Sequence, residues 1–219
     1  MKEKSMTVFC SVVYCAPFAE ITASIMRILG IDPGSETTGW GVIEGDSRRY
    51  NLVDCGAVRA ATGQKFPARL LRIANALEEI IQRYHPDACA IEDGFLATNV
   101  KVTLKLGQVR GVAMLVAERA ALEIHEYSPR LVKQTVVGHG SAEKFQVQQM
   151  VKRLLSLNNV PEPHDVADAL AVAICHFHHA SFAKRVLETQ SSAKLSDLKV
   201  THLNVRPPAR HSARRRISR

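Results

Sequence analysis

Three apolar runs in this chain end or open on a carboxylate, and that pattern limits the fold more than any other feature. Ile28-Leu29-Gly30-Ile31 leads into Asp32, and Ala88-Cys89-Ala90-Ile91 leads into Glu92. The third run, Asp165-Val166-Ala167-Asp168-Ala169-Leu170-Ala171-Val172-Ala173-Ile174, opens with two acids three residues apart. Short apolar runs bounded by turn residues predict buried strands, and the longer run predicts a buried helix. An ionised carboxylate at the rim of such elements needs a compensating partner. No Lys or Arg adjoins any of the four in sequence. If the acids converge in space, a divalent cation is the natural partner, and phosphate-ester hydrolysis is the chemistry it suggests.

The stretches between these runs supply the rest of an α/β architecture. Met26–Asp32 reads as a buried strand, closed by the turn residues Pro33-Gly34. Gly39–Glu44 and Tyr50–Val58 follow as two further strands, spaced closely enough for an antiparallel meander. Pro67–Tyr84 carries Leu70, Leu71, Ile73, Ala74, Leu77, Ile80 and Ile81 on one side of a helix. Asp87–Glu92 is a fourth strand, expected parallel to the first, and Glu123–Tyr127 a fifth. Between them lies a long helix over Asn99–Ala121, with Gly107 and Gly111 four apart and able to form a close-packed surface. Helices are predicted over Pro129–Val137, Ser141–Leu157 (with Ser141 as N-cap) and Pro163–Ala180. The order describes a mixed five-stranded sheet flanked by helices.

That order also brings the acids together. Asp32 and Glu92 lie at the C-terminal ends of neighbouring strands, where the ligand sites of α/β sheets sit. Asp165 and Asp168, at i and i+3, share one helix face. Each acid alone has an ordinary structural explanation. Asp-Pro-Gly is a common turn, Glu92-Asp93 suits a solvated strand end, and acids favour a first helical turn as Asp165 does. Asp168 resists such an explanation, because its helix face is otherwise apolar. The conjunction carries the argument.

At 219 residues the chain suits one substantial domain or two small ones. The net charge of +8 is concentrated at one end, where ten Lys/Arg face two acids between Lys184 and Arg219. Residues 1–183 are therefore neutral overall. A basic tail of this kind either contacts nucleic acid through phosphates or is a solvated, disordered appendage. The five cysteines form no CxxC pair, which argues against a disulfide framework or zinc site and for a reducing cytosol. Residues 1–25 form an extension in which Lys2 and Lys4 precede an apolar stretch, mimicking a secretory signal. Pro17 and the short apolar run argue against a membrane span. The preferred expectation is that Met26 is the true start. The domain plan is thus an extension over 1–25, an α/β domain over 26–183 and a basic, disordered tail over 184–219.

The ordered motifs resemble the RuvC family of bacterial Holliday-junction resolvases. They are Ile28 through Gly34 with Thr38-Gly39-Trp40-Gly41-Val42, Ile91-Glu92 with Phe95, and Leu104-Lys105-Leu106-Gly107-Gln108 with Arg110-Gly111. Val132 through Gly138, Gly140 through Lys144 with Gln146-Val147-Gln148, and Asp165 through Ala173 complete them. The resemblance implies a ribonuclease-H-like fold. It implies a homodimer that resolves four-way DNA junctions by paired symmetric nicks, leaving 5′-phosphate and 3′-hydroxyl ends. It gives Asp32, Glu92, Asp165 and Asp168 the catalytic, metal-binding role. An all-carboxylate set suits Mg²⁺, two ions per subunit, with Mn²⁺ as a substitute. Lys133 and Lys144 match residues near the scissile phosphate, and Phe95 matches an aromatic that stacks on bases. A RuvA-RuvB branch-migration complex and a cytoplasmic location follow from the same resemblance.

Two departures from the family pattern stand out. Asp93-Gly94 precedes Phe95, where larger or apolar residues are commoner, and Gly94 is expected to loosen that loop. Val100-Lys101-Val102-Thr103 replaces a stretch of small residues. Two rival readings are an actin-like or sugar-kinase-like ATPase and a junction-binding protein without catalysis. The first needs a second domain and phosphate loop that this chain lacks, and the presence of all four acids weighs against the second.

Overall fold

The computed structural model describes residues 25–45, 49–59, 61, 63–94 and 99–180. The expectations for the extension, the basic tail and Phe95 fall outside those residues. Strands β1 (Met26–Asp32), β2 (Thr37–Gly45) and β3 (Tyr50–Arg59) form the antiparallel meander. Helix α1 (Phe66–Tyr84) leads to β4 (Ala88–Glu92), which pairs parallel with β1. Helix α2 (Val100–Arg119) crosses over to β5 (Glu123–Tyr127), parallel to β4. Helices α3 (Pro129–Val137), α4 (Lys144–Leu154) and α5 (residues 164–180) complete the chain. The sheet order is β3-β2-β1-β4-β5, the mixed five-stranded arrangement expected.

Strand alternation divides the core between two faces. From β1, Leu29 and Ile31 join Val42, Cys89 and Ile91 against Leu77 of α1 and Val109 and Ala113 of α2. Ile28 points the other way and packs with Ile43, Ala90, Val132, Val147, Val151 and the whole apolar body of α5. Central strands covered on both sides are near-continuously apolar, which is why β1 and β4 were legible as plain runs.

Glycines on the α5 face of the sheet fix how closely that helix lies. A Cβ on Gly30 would stand 2.1 Å from the Ala169 carbonyl oxygen, and one on Gly39 would stand 2.0 Å from that of Asp165. Gly41 would meet the Leu170 side chain at 2.4 Å. The backbone of α5 thus rests directly on β1 and β2. Val166, Ala167 and the run from Ala169 to Cys175 are buried around the helix. The Asp165 end of α5 lies over Gly39, the β2 residue paired with Asp32.

Local signals set the helix boundaries. Ser128 caps α3 through its side chain, with Pro129 in the first turn, and Gly138 ends the helix at φ 100°, a left-handed position that favours glycine. Asn99 accepts from the Lys101 backbone N–H at 3.0 Å to open α2. The expected start of α4 is corrected. Its N-cap is Glu143, whose backbone N–H donates to the Gln146 side-chain oxygen at 2.9 Å. That capping box displaces Ser141 from the role. Beyond their own helix, nothing among the described residues lies within 4 Å of a Cβ added at Gly107 or Gly111, so the close-packed surface expected there has no partner among those residues.

Candidate active site

Four side chains meet where β1 and β4 end beneath the first turns of α5. Asp32 and Glu92 are the last residues of parallel neighbours whose register pairs Ile31 with Ile91. Asp165 and Asp168 come down from α5, whose position the glycines fix. Burial pushes the Asp32 carboxyl up to about 9, and the nearby charges of Glu92, Asp168 and Asp165 add to it. Burial likewise raises Glu92, helped by Asp168, while its bond to Asp32 and the positive charges of Lys144 and Lys133 pull the other way. The two carboxyls are linked by a side-chain hydrogen bond. Asp32 thus feels the charge of each of the other three acids, which converge on it as strand order predicted.

Two of the expected cations are here as well. Lys144, the first residue of α4, places its Nζ 2.8 Å from Asp168 Oδ2. Burial works against the lysine's charge, but the bond to Asp168 and the charges of Asp168, Asp32 and Asp165 prevail and raise its pKa. Lys133 of α3 lines the same hollow of about 290 Å³ with Lys144, Asp32, Glu92, Asp168, Pro129 and Val147. The reading that no cation compensates the acids holds only along the sequence. In space, α4 delivers Lys144 to Asp168 from 24 residues away.

A second cleft of about 480 Å³ lies on the other side of the same acids. Asp32, Glu92 and Asp165 form its floor. Pro33, Gly34, Gly94, Thr103, Leu106, Gly107 and Arg110 form the rest. Arg110 of α2 is the functional candidate to which sequence reasoning gave no role. Its Nη2 lies 2.7 Å from Glu126 and 3.0 Å from Asp93. The available signal was the family motif containing Arg110-Gly111. The partner Glu126 sits on another strand, and only the fold brings it near. Ahead of the Gly94 position, the chain is anchored. Asp93 is tied to Arg110, and its backbone N–H donates to the Tyr127 carbonyl at 2.8 Å. Phe95 lies just beyond, outside the described residues.

The donor chemistry fits a hard cation. The four acids offer only carboxylate oxygens, the ligands preferred by Mg²⁺ and Mn²⁺ rather than zinc. The raised carboxyls of Asp32 and Glu92 mark a site where negative charge is under-compensated. As they stand, no group of three His, Cys, Asp or Glu side chains among the described residues is arranged as a metal cage. Asp32 and Glu92 face each other, and Asp168 holds Lys144. A cation would offset the negative charge gathered there. Cys55, Cys89 and Cys175 carry free thiols and lie outside the lining of both clefts.

Comparison with known proteins points the same way. A sequence model described as crossover junction endodeoxyribonuclease RuvC matches residues 28–176. The crossover junction endodeoxyribonuclease RuvC of Alkaliphilus oremlandii is 51% identical over 159 residues, covering 73% of this chain and 97% of that protein. The one from Chloroflexus aurantiacus is 47% identical over 160 residues, covering 73% and 98%. Among solved structures, T. thermophilus RuvC in complex with Holliday junction substrate aligns with a TM-score of 0.69 at 32% identity, over 72% of this chain and 96% of that one. The yeast mitochondrial Holliday junction resolvase Ydc2 shares the fold at 15% identity and a TM-score of 0.55, over 75% and 84%. The matched span begins in β1 at Ile28, ends in α5 at His176 and contains all four acids, and the chain belongs to the RuvC family of crossover junction endodeoxyribonucleases.

Proposed function

We propose that this endonuclease resolves four-way (Holliday) DNA junctions with Asp32, Glu92, Asp165 and Asp168 as the ligands of Mg²⁺, two ions per subunit, with Mn²⁺ as a substitute. The observation that carries the reading is the meeting of four carboxylates and one lysine on the ridge between two clefts. RuvC-type enzymes are metal-dependent nucleases. When bound, the ions supply Lewis acidity that lowers the pKa of an attacking water and offsets charge on the phosphoryl oxygens. The chain's own residues do the rest. The carboxylates hold the ions, and the glycine-seated α5 keeps Asp165 and Asp168 in register with Asp32. Lys144 and Lys133 neutralise negative charge that grows on the phosphate in the transition state. Phe95, three residues past Glu92 in sequence, stacks on a base near the junction centre. Hydrolysis leaves a 5′-phosphate and a 3′-hydroxyl.

A homodimer suits this reading, because two active sites related by a two-fold axis match two strands of like polarity. Supporting it, Val100 and Leu104 on α2 are 71% and 62% exposed, and Leu71 on α1 is 62% exposed. Gly107 and Gly111 leave open space on α2. A RuvA-RuvB branch-migration partner and a cytoplasmic location complete the proposal. Among the described residues no helix is long and apolar enough to cross a membrane.

The test is a synthetic mobile junction incubated with the protein and Mg²⁺, beside Asp32→Asn. The wild type is expected to cut symmetric strands, and the variant to cut roughly a hundredfold less or worse while still binding the junction. Asymmetric nicking by the wild type, or cutting by the variant at the wild-type rate, overturns the assignment. In chelator the variant should also melt at a higher temperature than the wild type. It removes a carboxyl that burial and three neighbouring acids penalise.

A further inference from the structure

We propose that Arg110 is a contact for a DNA backbone phosphate on the α2 wall of the larger cleft, restrained there by Asp93 and Glu126. The proposal rests on the junction-cutting reading and extends it to a second phosphate site, on the opposite side of the acids from Lys133 and Lys144.

Three observations converge on Arg110. First, a strand crossing the acids from the lysine-lined hollow enters a cleft whose lining contains Asp32, Glu92 and Asp165 and a single cationic residue, Arg110. Among the described lining residues a polyanion on that path meets no other positive charge. Second, the Arg110 Nε is buried and has no hydrogen-bond acceptor among the described residues. A buried, unpaired donor in a native fold calls for an explanation. A phosphate oxygen is a fitting acceptor, because a guanidinium engages phosphate through two parallel N–H groups. Third, one of the two acids on Nη2, Asp93, is displaceable. The Asp93 side chain is 50% exposed, and ion pairs at such positions contribute little to stability. Gly94 and Gly107, which also line the cleft, have open space where a Cβ would lie, so a backbone can approach.

The experiment measures junction affinity across a salt series in the full-length Asp32→Asn background, which suppresses cutting. Neutralising one phosphate contact makes the slope of log affinity against log salt shallower by about one. Arg110→Met, or Arg110→Gln if the first fails to fold, is expected to show that loss, and Arg110→Lys to retain the original slope. Asp93→Asn is expected to tighten binding and steepen the slope where Arg110 is present, and to do neither in the Arg110→Met or Arg110→Gln protein. Coincident slopes for parent and Arg110 variants overturn the inference. So does an equal effect of Asp93→Asn with and without Arg110, since that is general relief of charge repulsion. If the Asp32→Asn protein does not prefer a four-way junction over duplex, the functional reading itself fails and takes this inference with it. Preference for junctions with unchanged slopes removes only the role of Arg110.

Discussion

Helices α5 and α2 both involve small residues, yet they use them in opposite ways. Beneath α5 the small residues are on the sheet, and the space above Gly30, Gly39 and Gly41 is filled by helix backbone and side chains. On α2 they are on the helix itself, and the space over Gly107 and Gly111 is open. The first arrangement is a seat that fixes two acids against a third. The second is a surface left uncovered among the described residues, beside exposed apolar side chains. The metal-ligand role proposed for the acids needs a fixed separation, which the seat under α5 supplies. The contacts proposed for α2 need close approach, which its bare surface allows.

The largest effect should come from spoiling the seat. Gly30→Ala drives a methyl into the Ala169 carbonyl at 2.1 Å, a backbone obstacle that cannot rotate away. The expected loss is about 3 kcal/mol or more, read by chemical denaturation, with cutting lost because Asp165 and Asp168 shift from Asp32. An unchanged denaturation midpoint would break the comparison at its first term.

Next is the far end of α5. His176 is buried, stacks on His125 at 4.2 Å and meets the Tyr127 hydroxyl at 2.8 Å through Nδ1. Burial, then the neighbouring His125 and His179, lower its pKa to about 4. The folded protein thus keeps this imidazole neutral while the unfolded chain protonates near 6.5. Stability from this group is whole above that pH and drains as pH falls toward 4, by on the order of 2–3 kcal/mol. His176→Phe should flatten that part of the stability profile in denaturation runs between pH 7 and 4. A profile as steep as that of the wild type would contradict the assignment.

A middle-sized effect is expected at Lys144. Lys144→Met should slow cutting by roughly tenfold to a hundredfold with little change in junction affinity at saturating metal. A fall in affinity alone would make Lys144 a binding residue only.

The smallest effect sharpens the contrast from the other side. Gly111→Ala meets nothing among the described residues and should stabilise an isolated subunit by about 0.5–1 kcal/mol. If a second copy packs there, light scattering should show a weaker dimer at the same time. A stabilised protein with an unaltered dimer would move the interface elsewhere.

Much of this was legible because it is written locally. Asp32 and Glu92 stand out because apolar runs lead into them, and Asp165 and Asp168 because an otherwise apolar helix carries them. The boundaries of α3 were legible in Ser128-Pro129 and Gly138. The cap of α4 was misread because Ser141 and Glu143 both satisfy the local rules, and the Gln146 side chain decides between them. Arg110 was passed over because its partners, Asp93 and Glu126, lie on a loop and on a strand that no sequence pattern joins to it.

By itself the sequence determined the elements, their order and the identity of the acids, since hydrophobic periodicity and turn chemistry act over a few residues. Tertiary structure alone decided what those acids face. It set α5 on a glycine floor, brought Lys144 to Asp168, buried Asp32 against Glu92 and gave Arg110 to the opposite cleft. Those outcomes depend on distances between groups far apart in the chain, and electrostatic interaction and burial are functions of those distances rather than of sequence position.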